Sequence, residues 1–294
     1  MKKVICTITT FDYLPKVEAL YHSLMNKGEV DYSFYVLLME DKKWNSNLNN
    51  LKVIHLSELR KVKKSVLFNK YKGDKLRWGL KSVFLQYLIQ KGYEQLIYVD
   101  NDIFFFKHPS VIFEKLLHAD FLLTPHFYQS YPGRNQRWFE ANFRVGLFNA
   151  GFIACTANAQ KHLSWWEEAC IYNIKKSNKR GLFDDQKYLD MLPILFDGVE
   201  IVKDRGWNLA AWNDNDFDHV IPLDIKEDTP VFIHFTDLTL EKWKNKSHIY
   251  HKFYLKYTKS LKAKSFLLTK SRKTHLIMEY FNYLYWKIQR LIEK

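Results

Sequence analysis

The stretch YVDNDIFFF, residues 98–106, sets two carboxylates one residue apart between apolar runs. Leu96 to Val99 reads as a short buried strand that stops at Asp100-Asn101-Asp102, and Ile103 to Phe106 resume the apolar character beyond it. Asp and Asn favour turns because their side chains bond nearby backbone groups, so a turn or helix-capping role is one reading. The flanks favour another. Two carboxylates at a buried edge are costly unless a cation neutralises them, and hard divalent cations take oxygen ligands.

Working outward, Lys75 to Gln90 carries a helical pattern that Gly92 ends. Upstream, Val4 to Thr9 reads as a strand and Pro15 to Asn26 as a helix, with Val17, Leu20, Leu24 and Met25 at helical spacing. Tyr32 to Met39 and Lys52 to His55 read as further strands, separated by the Asn-rich turn 45–50. Downstream, Asp120 to Thr124, Leu147 to Cys155 and Val231 to His234 read as strands. Ala159 to Ile174, which carries Trp165 and Trp166, and Asp185 to Leu192 read as helices. Strands alternating with helices imply a mostly parallel α/β sheet, and ligands gather beyond the carboxyl ends of such strands. Asp100 stands at such an end.

Composition bounds the class. With 294 residues, 47% hydrophobic and 17% aromatic, the chain can bury one large core, and its 10 Gly and 7 Pro exclude a collagenous or low-complexity protein. Cys6, Cys155 and Cys170 form no close pair and sit in apolar stretches, which fits a reducing compartment. The start MKKVICTITT lacks the apolar core of a signal peptide, and no uncharged stretch reaches the roughly 18 residues of a spanning helix, so the expected location is the cytoplasm. The formal charge of +13 is unevenly spread: residues 241–294 hold 14 Lys/Arg against 3 Asp/Glu, leaving the rest nearly neutral. From Thr274 onward, Leu276, Tyr280, Tyr283, Leu284, Ile288 and Leu291 recur at three- and four-residue intervals. This spacing predicts a basic amphipathic helix suited to an anionic membrane surface, or else packed on the domain with a solvated charged face.

A series of motifs, in order, carries a resemblance: LKSVFLQYLIQKGYEQLIYVDNDIFFF around the two carboxylates, LTPH at 123–126, GLFNAGFIAC at 146–155, the Trp pair, LFDDQKYLDMLP at 182–193 and GWNLAAWN at 206–213. The chain resembles the GT-A nucleotide-diphospho-sugar transferases, near the family 8 glycosyltransferases and their bacterial relatives, over most of residues 4–243. The resemblance implies a GT-A, Rossmann-like domain over 1–243 and a basic, aromatic, helical extension over 244–294. It also implies a nucleotide-diphosphate sugar donor, a glycan or lipid-linked glycan acceptor, and Mn2+ or Mg2+ as cofactor.

By the family's pattern Asp100, Asp102 and His234 hold the metal, although a lone strand-end histidine is more often simply satisfied by its neighbours. Thr9, Thr10 and Tyr13, at the end of the first strand, match the nucleotide-binding positions, where a structural turn is the other reading. Lys81 is similar to the basic residue that reaches the donor phosphates, and it also fits an exposed helical lysine. Together with Asp100 and Asn101 these residues make the expected donor site. Asn149, Asp185 and Gln186 look like the catalytic groups around the transferred sugar, with fixed dipoles serving an oxocarbenium-like centre. Helix capping is the alternative for Asp185, and more so for Asp184. His126, Trp207, Asn208 and Asn213 line an acceptor or sugar pocket in one reading and are ordinary core in the other.

Two departures stand out. Asn101 occupies the middle position where relatives commonly have Pro, and HFTD at 234–237 places Asp237 where the family has a glycine that approaches the phosphates. The expected function is a metal-dependent, retaining transfer from a UDP-sugar in cell-surface polysaccharide or lipopolysaccharide assembly, at the inner face of the plasma membrane. The rivals are an inactive sugar-nucleotide sensor and a nucleic-acid binder using the basic aromatic tail. The second explains neither the acidic motif nor the neutral body, and no nucleic-acid partner is expected.

Overall fold

The computed structural model describes residues 1–46, 48–214 and 229–261. Its nine strands are β1 (Lys3–Thr9), β2 (Tyr32–Leu38), β3 (Leu51–His55), β4 (Gln95–Val99), β5 (Ile103–Phe105), β6 (Phe121–Pro125), β7 (Phe148–Thr156), β8 (Val199–Ile201) and β9 (Phe232–His234). Seven form one sheet in the order β3-β2-β1-β4-β7-β6-β8, while β5 and β9 make a separate two-stranded sheet. The first four run parallel, β7 is antiparallel to both its neighbours, and β8 is parallel to β6. This is the mostly parallel α/β sheet that the alternating pattern predicts.

Both faces are covered, which explains why the central strands are continuously apolar rather than alternating. Val4, Cys6 and Ile8 of β1 and Leu96 and Tyr98 of β4 join one core, shared with the helices Gly73–Gln90 and Gln160–Tyr172. Ile5, Ile97 and Val99 join the other, shared with the helices Leu14–Met25 and Ser110–Lys115. All three cysteines are free and buried in this apolar interior.

The helix Gly73–Gln90 leads into the decisive strand. Gly79 lets it pack closely, since a Cβ there would lie 2.9 Å from Ile174 Cδ1. Gly92, at φ +80°, closes its end: Gly92 N donates to Ile89 O at 2.8 Å and Tyr93 N to Leu88 O at 3.2 Å. The chain then turns directly into β4.

The structure differs from the periodic reading at several points. In place of a helix over 185–192 stand a 3-10 turn, Lys187–Met191, and a single helical turn, Leu192–Leu195. The backbone is left-handed at Asp184, φ +48°, and Trp166 Nε1 donates to Asp185 O at 2.9 Å, which turns this segment towards the interior. The apolar run after Asp102 is itself a strand, β5, and an amphipathic helix, Gln136–Arg144, lies in a stretch to which the periodic reading assigns no element. The amphipathic pattern from Thr274 lies outside the described residues.

Part of the basic segment is visible. The helix His251–Ser260 buries Phe253 and Tyr257 against Phe104, Phe106 and Phe235, while Lys252, Lys256 and Lys259 face solvent. Tyr257 stacks on Phe235 with ring centroids 4.1 Å apart and planes within 3°. Among the described residues no helix is long and apolar enough to cross a membrane.

Candidate metal and donor site

β4 delivers Asp100 at the carboxyl end of the parallel strands, and two backbone bonds hold the turn that follows. Asp100 N donates to Gly151 O at 2.7 Å, and Ile103 N donates to Asp100 O at 3.1 Å. Asn101, between the carboxylates, is buried and donates through Nδ2 to Thr9 Oγ1 at 2.9 Å, which ties the turn to the end of β1. β5 then pairs with β9 in a register that sets Ile103 opposite His234. The result is a cluster of Asp100, Asp102 and His234 whose ligand atoms all lie within 4.8 Å of one another.

The chemistry of this set fits a divalent cation. His234 Nε2 stands 3.0 Å from Asp102 Oδ1 and 4.0 Å from Asp100 Oδ2. The other ring nitrogen, Nδ1, is 3.2 Å from Asn208 Oδ1, and Asn208 spends its amide donor on Thr124 Oγ1 at 3.1 Å. Asn208 therefore accepts from Nδ1–H, so that Nε2 is the ring nitrogen facing the two carboxylates, the one whose lone pair a cation bound between them would take. Space is reserved as well: a Cβ on Gly151 would lie 2.4 Å from His234 Cε1 and 3.0 Å from Asp100 Oδ2. No side chain fits where these ligands converge.

Each carboxylate has its own lysine. Lys81 Nζ lies 3.7 Å from Asp100 Oδ1, 3.1 Å from Asp185 Oδ2 and 3.0 Å from Ala150 O. Lys16 Nζ lies 3.4 Å from Asp102 Oδ2. Burial opposes the charged form of Asp102, but Lys16 and His234 outweigh it and hold the carboxyl well below the usual range. Asp185 goes the other way: burial pushes it up to about 6 against the pull of Lys81. Tyr98 Oη adds a 2.7 Å hydrogen bond to Asp100 Oδ1.

A cavity of about 400 Å3 opens beside the cluster, walled by Tyr13, Lys16, Arg77, Asn149, Trp212 and Asp237 in addition to the three ligands. A larger groove of about 550 Å3, lined by Glu94, His118 and Asp120, lies at the opposite end of the sheet. Among the described residues it has no converging metal set, and it stands at the amino ends of β4 and β6, away from the carboxyl ends where α/β sheets bind ligands.

The residues singled out in the sequence fall into four groups. Asp100, Asn101, Asp102, His234, Tyr13 and Asn149 line the cavity. Thr9 and Thr10 brace its floor, since Thr9 Oγ1 donates to Thr10 O at 3.1 Å and Thr10 O accepts from Tyr13 N at 3.0 Å. Lys81 and Asp185 lie behind the cluster, and Lys81 is buried rather than exposed. Asn149 is held at both ends of its amide: Nδ2 donates to His126 Nε2 at 3.1 Å and Oδ1 accepts from Gly151 N at 2.9 Å.

The remaining residues lie away from the cavity wall. Gln186 turns towards Val145 O at 3.5 Å. His126 stacks on Tyr128 at 4.6 Å, and burial lowers its pKa to about 3, which keeps it neutral. Asn208 acts on His234 from behind. Asn213 braces that same loop, accepting from Ala210 N at 2.9 Å and donating to Asn208 O at 3.1 Å. Trp207 belongs to the core, edge-on to Phe152 at 5.9 Å, while the second tryptophan of GWNLAAWN, Trp212, faces the cavity. Sequence reading passed over Lys16, Arg77, Trp212 and Gly151. Only Gly151, the glycine within FNAGF, carried a local signal for close approach.

A sheet of this topology with an Asp-Asp-His cluster at its carboxyl edge defines a GT-A glycosyltransferase. The chain belongs to glycosyl transferase family 8, whose model matches residues 4–247. It is 30% identical over 257 residues to the uncharacterized protein YfnD of Bacillus subtilis (strain 168), covering 80% of this chain and 77% of that one. Among solved structures it is similar to the galactosyltransferase LgtC, in complex with donor and acceptor sugar analogs, with TM-score 0.57 and 12% identity over 88% of this chain and 96% of that one. It is also similar to the glycosyltransferase GlyE of Streptococcus pneumoniae TIGR4, with TM-score 0.54 and 16% identity over 93% of this chain and 66% of that one. At these identities the structural likeness shows the GT-A fold.

Proposed function

We propose that the protein transfers a sugar, with retention at the anomeric carbon, from a nucleotide-diphosphate donor of the UDP-sugar class to a glycan or lipid-linked glycan acceptor. Mn2+ or Mg2+ would be held by Asp100, Asp102 and His234. The observation that carries this reading is the ligand set itself: two strand-end carboxylates, a histidine whose tautomer Asn208 fixes, and the space that Gly151 leaves between them.

The donor's bond from the anomeric carbon to the diphosphate breaks, the acceptor hydroxyl oxygen bonds to that carbon, and its proton leaves with the released nucleoside diphosphate or to solvent. When bound, the cation supplies Lewis-acid charge to the departing diphosphate. The chain's own part is to bind and orient. Tyr13 and Asn101 line the donor side, and Asn149, fixed at both ends by His126 and Gly151, presents a rigid dipole to the sugar. Asp185 acts on the site through Lys81, which it ties to Asp100. Arg77 adds a second cationic wall.

Membrane docking belongs to the same proposal. Lys252, Lys256 and Lys259 on the exposed side of the helix His251–Ser260 support an anionic surface as partner, at the inner face of the plasma membrane, where lipid-linked acceptors of polysaccharide or lipopolysaccharide assembly reside. The deciding experiment screens UDP- and GDP-sugars with and without Mn2+ on wild type and Asp102→Ala. Mn2+-dependent consumption of one donor, lost in the variant, is the expected result. Binding of a donor with no turnover on any acceptor would favour the sugar-nucleotide sensor instead.

A further inference from the structure

Lys16 is placed against ordinary helix preference. It stands in the first turn of the helix Leu14–Met25, at the positive end of the helix dipole, where a basic side chain is disfavoured and an acidic one stabilises. It is 5% exposed. Its ammonium group lies 3.4 Å from Asp102 Oδ2 and 5.3 Å from the centroid of the Tyr13 ring, and it forms part of the cavity wall. The other lysine of the cluster differs: Lys81 is fixed by Ala150 O and Asp185 as well as by Asp100. Among the described residues, Asp102 is the one carboxylate that holds Lys16.

Lys16, Lys81 and Arg77 face the carboxylates of Asp100, Asp102 and Asp185, so the cluster is close to neutral before any ion arrives. A divalent cation entering alone therefore gains little net attraction and meets a fixed positive charge beside Asp102. A nucleoside diphosphate changes that balance, because it brings several negative charges into the cavity that Lys16 borders and gives the ammonium group a new partner.

We propose that Lys16 is the residue that couples metal and nucleotide binding: it occupies Asp102 in the free protein, weakens the binding of a lone divalent cation, and moves to the donor diphosphate when the two ligands enter together. Metal and nucleotide then strengthen each other's binding, by the same factor in either order. The coupling rests on the transferase reading and adds to it a named device.

The test uses the full-length protein and its Lys16→Met and Lys16→Gln variants, with thermal midpoints as the check on folding. Mn2+ binding to the free protein is followed by electron paramagnetic resonance. UDP and GDP affinities are measured calorimetrically with and without Mn2+. In wild type, Mn2+ alone binds weakly, and it tightens nucleotide binding by at least about tenfold. In a folded Lys16→Met or Lys16→Gln protein, Mn2+ alone binds about tenfold more tightly and the coupling shrinks by a similar factor. Unchanged Mn2+ affinity and unchanged coupling in a folded variant would overturn the role of Lys16 while leaving the transferase reading intact. A wild-type protein that binds neither nucleotide nor Mn2+ would overturn both.

Discussion

Asn208 Oδ1 sits 3.2 Å from His234 Nδ1, so a residue buried away from the cavity decides which ring nitrogen of His234 faces the carboxylates. Asn208→Ala is expected to weaken metal binding about 10- to 100-fold, the usual range for loss of a partner behind a metal-ligating histidine. Because Asn208 adopts φ +58°, Asn208→Gly is the companion variant: it relieves the backbone yet still loses the contact. Mn2+ titration in the presence of UDP reads the effect, and equal affinity in both variants and wild type would refute the role.

Gly151→Ala tests the space between the ligands. The added methyl would overlap His234 Cε1 and Asn149 Oδ1, at 2.4 and 2.7 Å, so the metal cluster and the sugar-facing amide are displaced together. Loss of Mn2+ binding and destabilisation on the order of 1–3 kcal/mol are expected, measured by calorimetry and urea unfolding.

His126 gives the stability of the fold a pH dependence. Burial lowers its folded-state pKa to about 3, below the value near 6.5 of the unfolded chain. The unfolded state therefore binds the proton first, and this contribution is present above about pH 6.5 and is lost progressively as pH falls towards 3. Between pH 7 and 4.5 wild type should lose about 2–3 kcal/mol from this source, at about 1.4 kcal/mol per pH unit. His126→Gln should lose correspondingly less over the same interval in urea titrations.

The helix His251–Ser260 packs behind the strand that carries His234. Tyr257 is fully buried on Phe235, next to His234, so Tyr257→Ala should destabilise by about 3–5 kcal/mol. Among the described residues its hydroxyl has no hydrogen-bond partner, so Tyr257→Phe should be neutral or mildly stabilising. Differential scanning calorimetry of the pair separates ring packing from the hydroxyl.

Much of the architecture is legible in the sequence because the strands are short apolar runs bounded by turn residues and the main helices are periodic. Asp100 and Asp102 are legible for a related reason, since they stand at the end of a run that reads as a strand, whereas His234 is marked only by the family resemblance. What escaped depends on contacts distant in sequence. Lys16 looks like a solvated helical lysine until β4 brings Asp102 beside it, 86 positions later. Trp207 and Trp212 are equivalent in composition, and only the left-handed turn at Asn208 sends one into the core and the other to the cavity. The segment after Asp184 departs from its helical pattern because Asp185 turns inward to Lys81.

The pairing of β5 with β9 also says when the candidate metal site can assemble. One ligand of the metal set belongs to position 234 and its packing to position 257, whereas the carboxylates are in place by position 102. During synthesis, most of the large sheet is available long before the histidine leaves the ribosome. A nascent or prematurely terminated chain that stops short of position 234 thus carries the carboxylates without the histidine, and the candidate cluster closes only once β9 has been made.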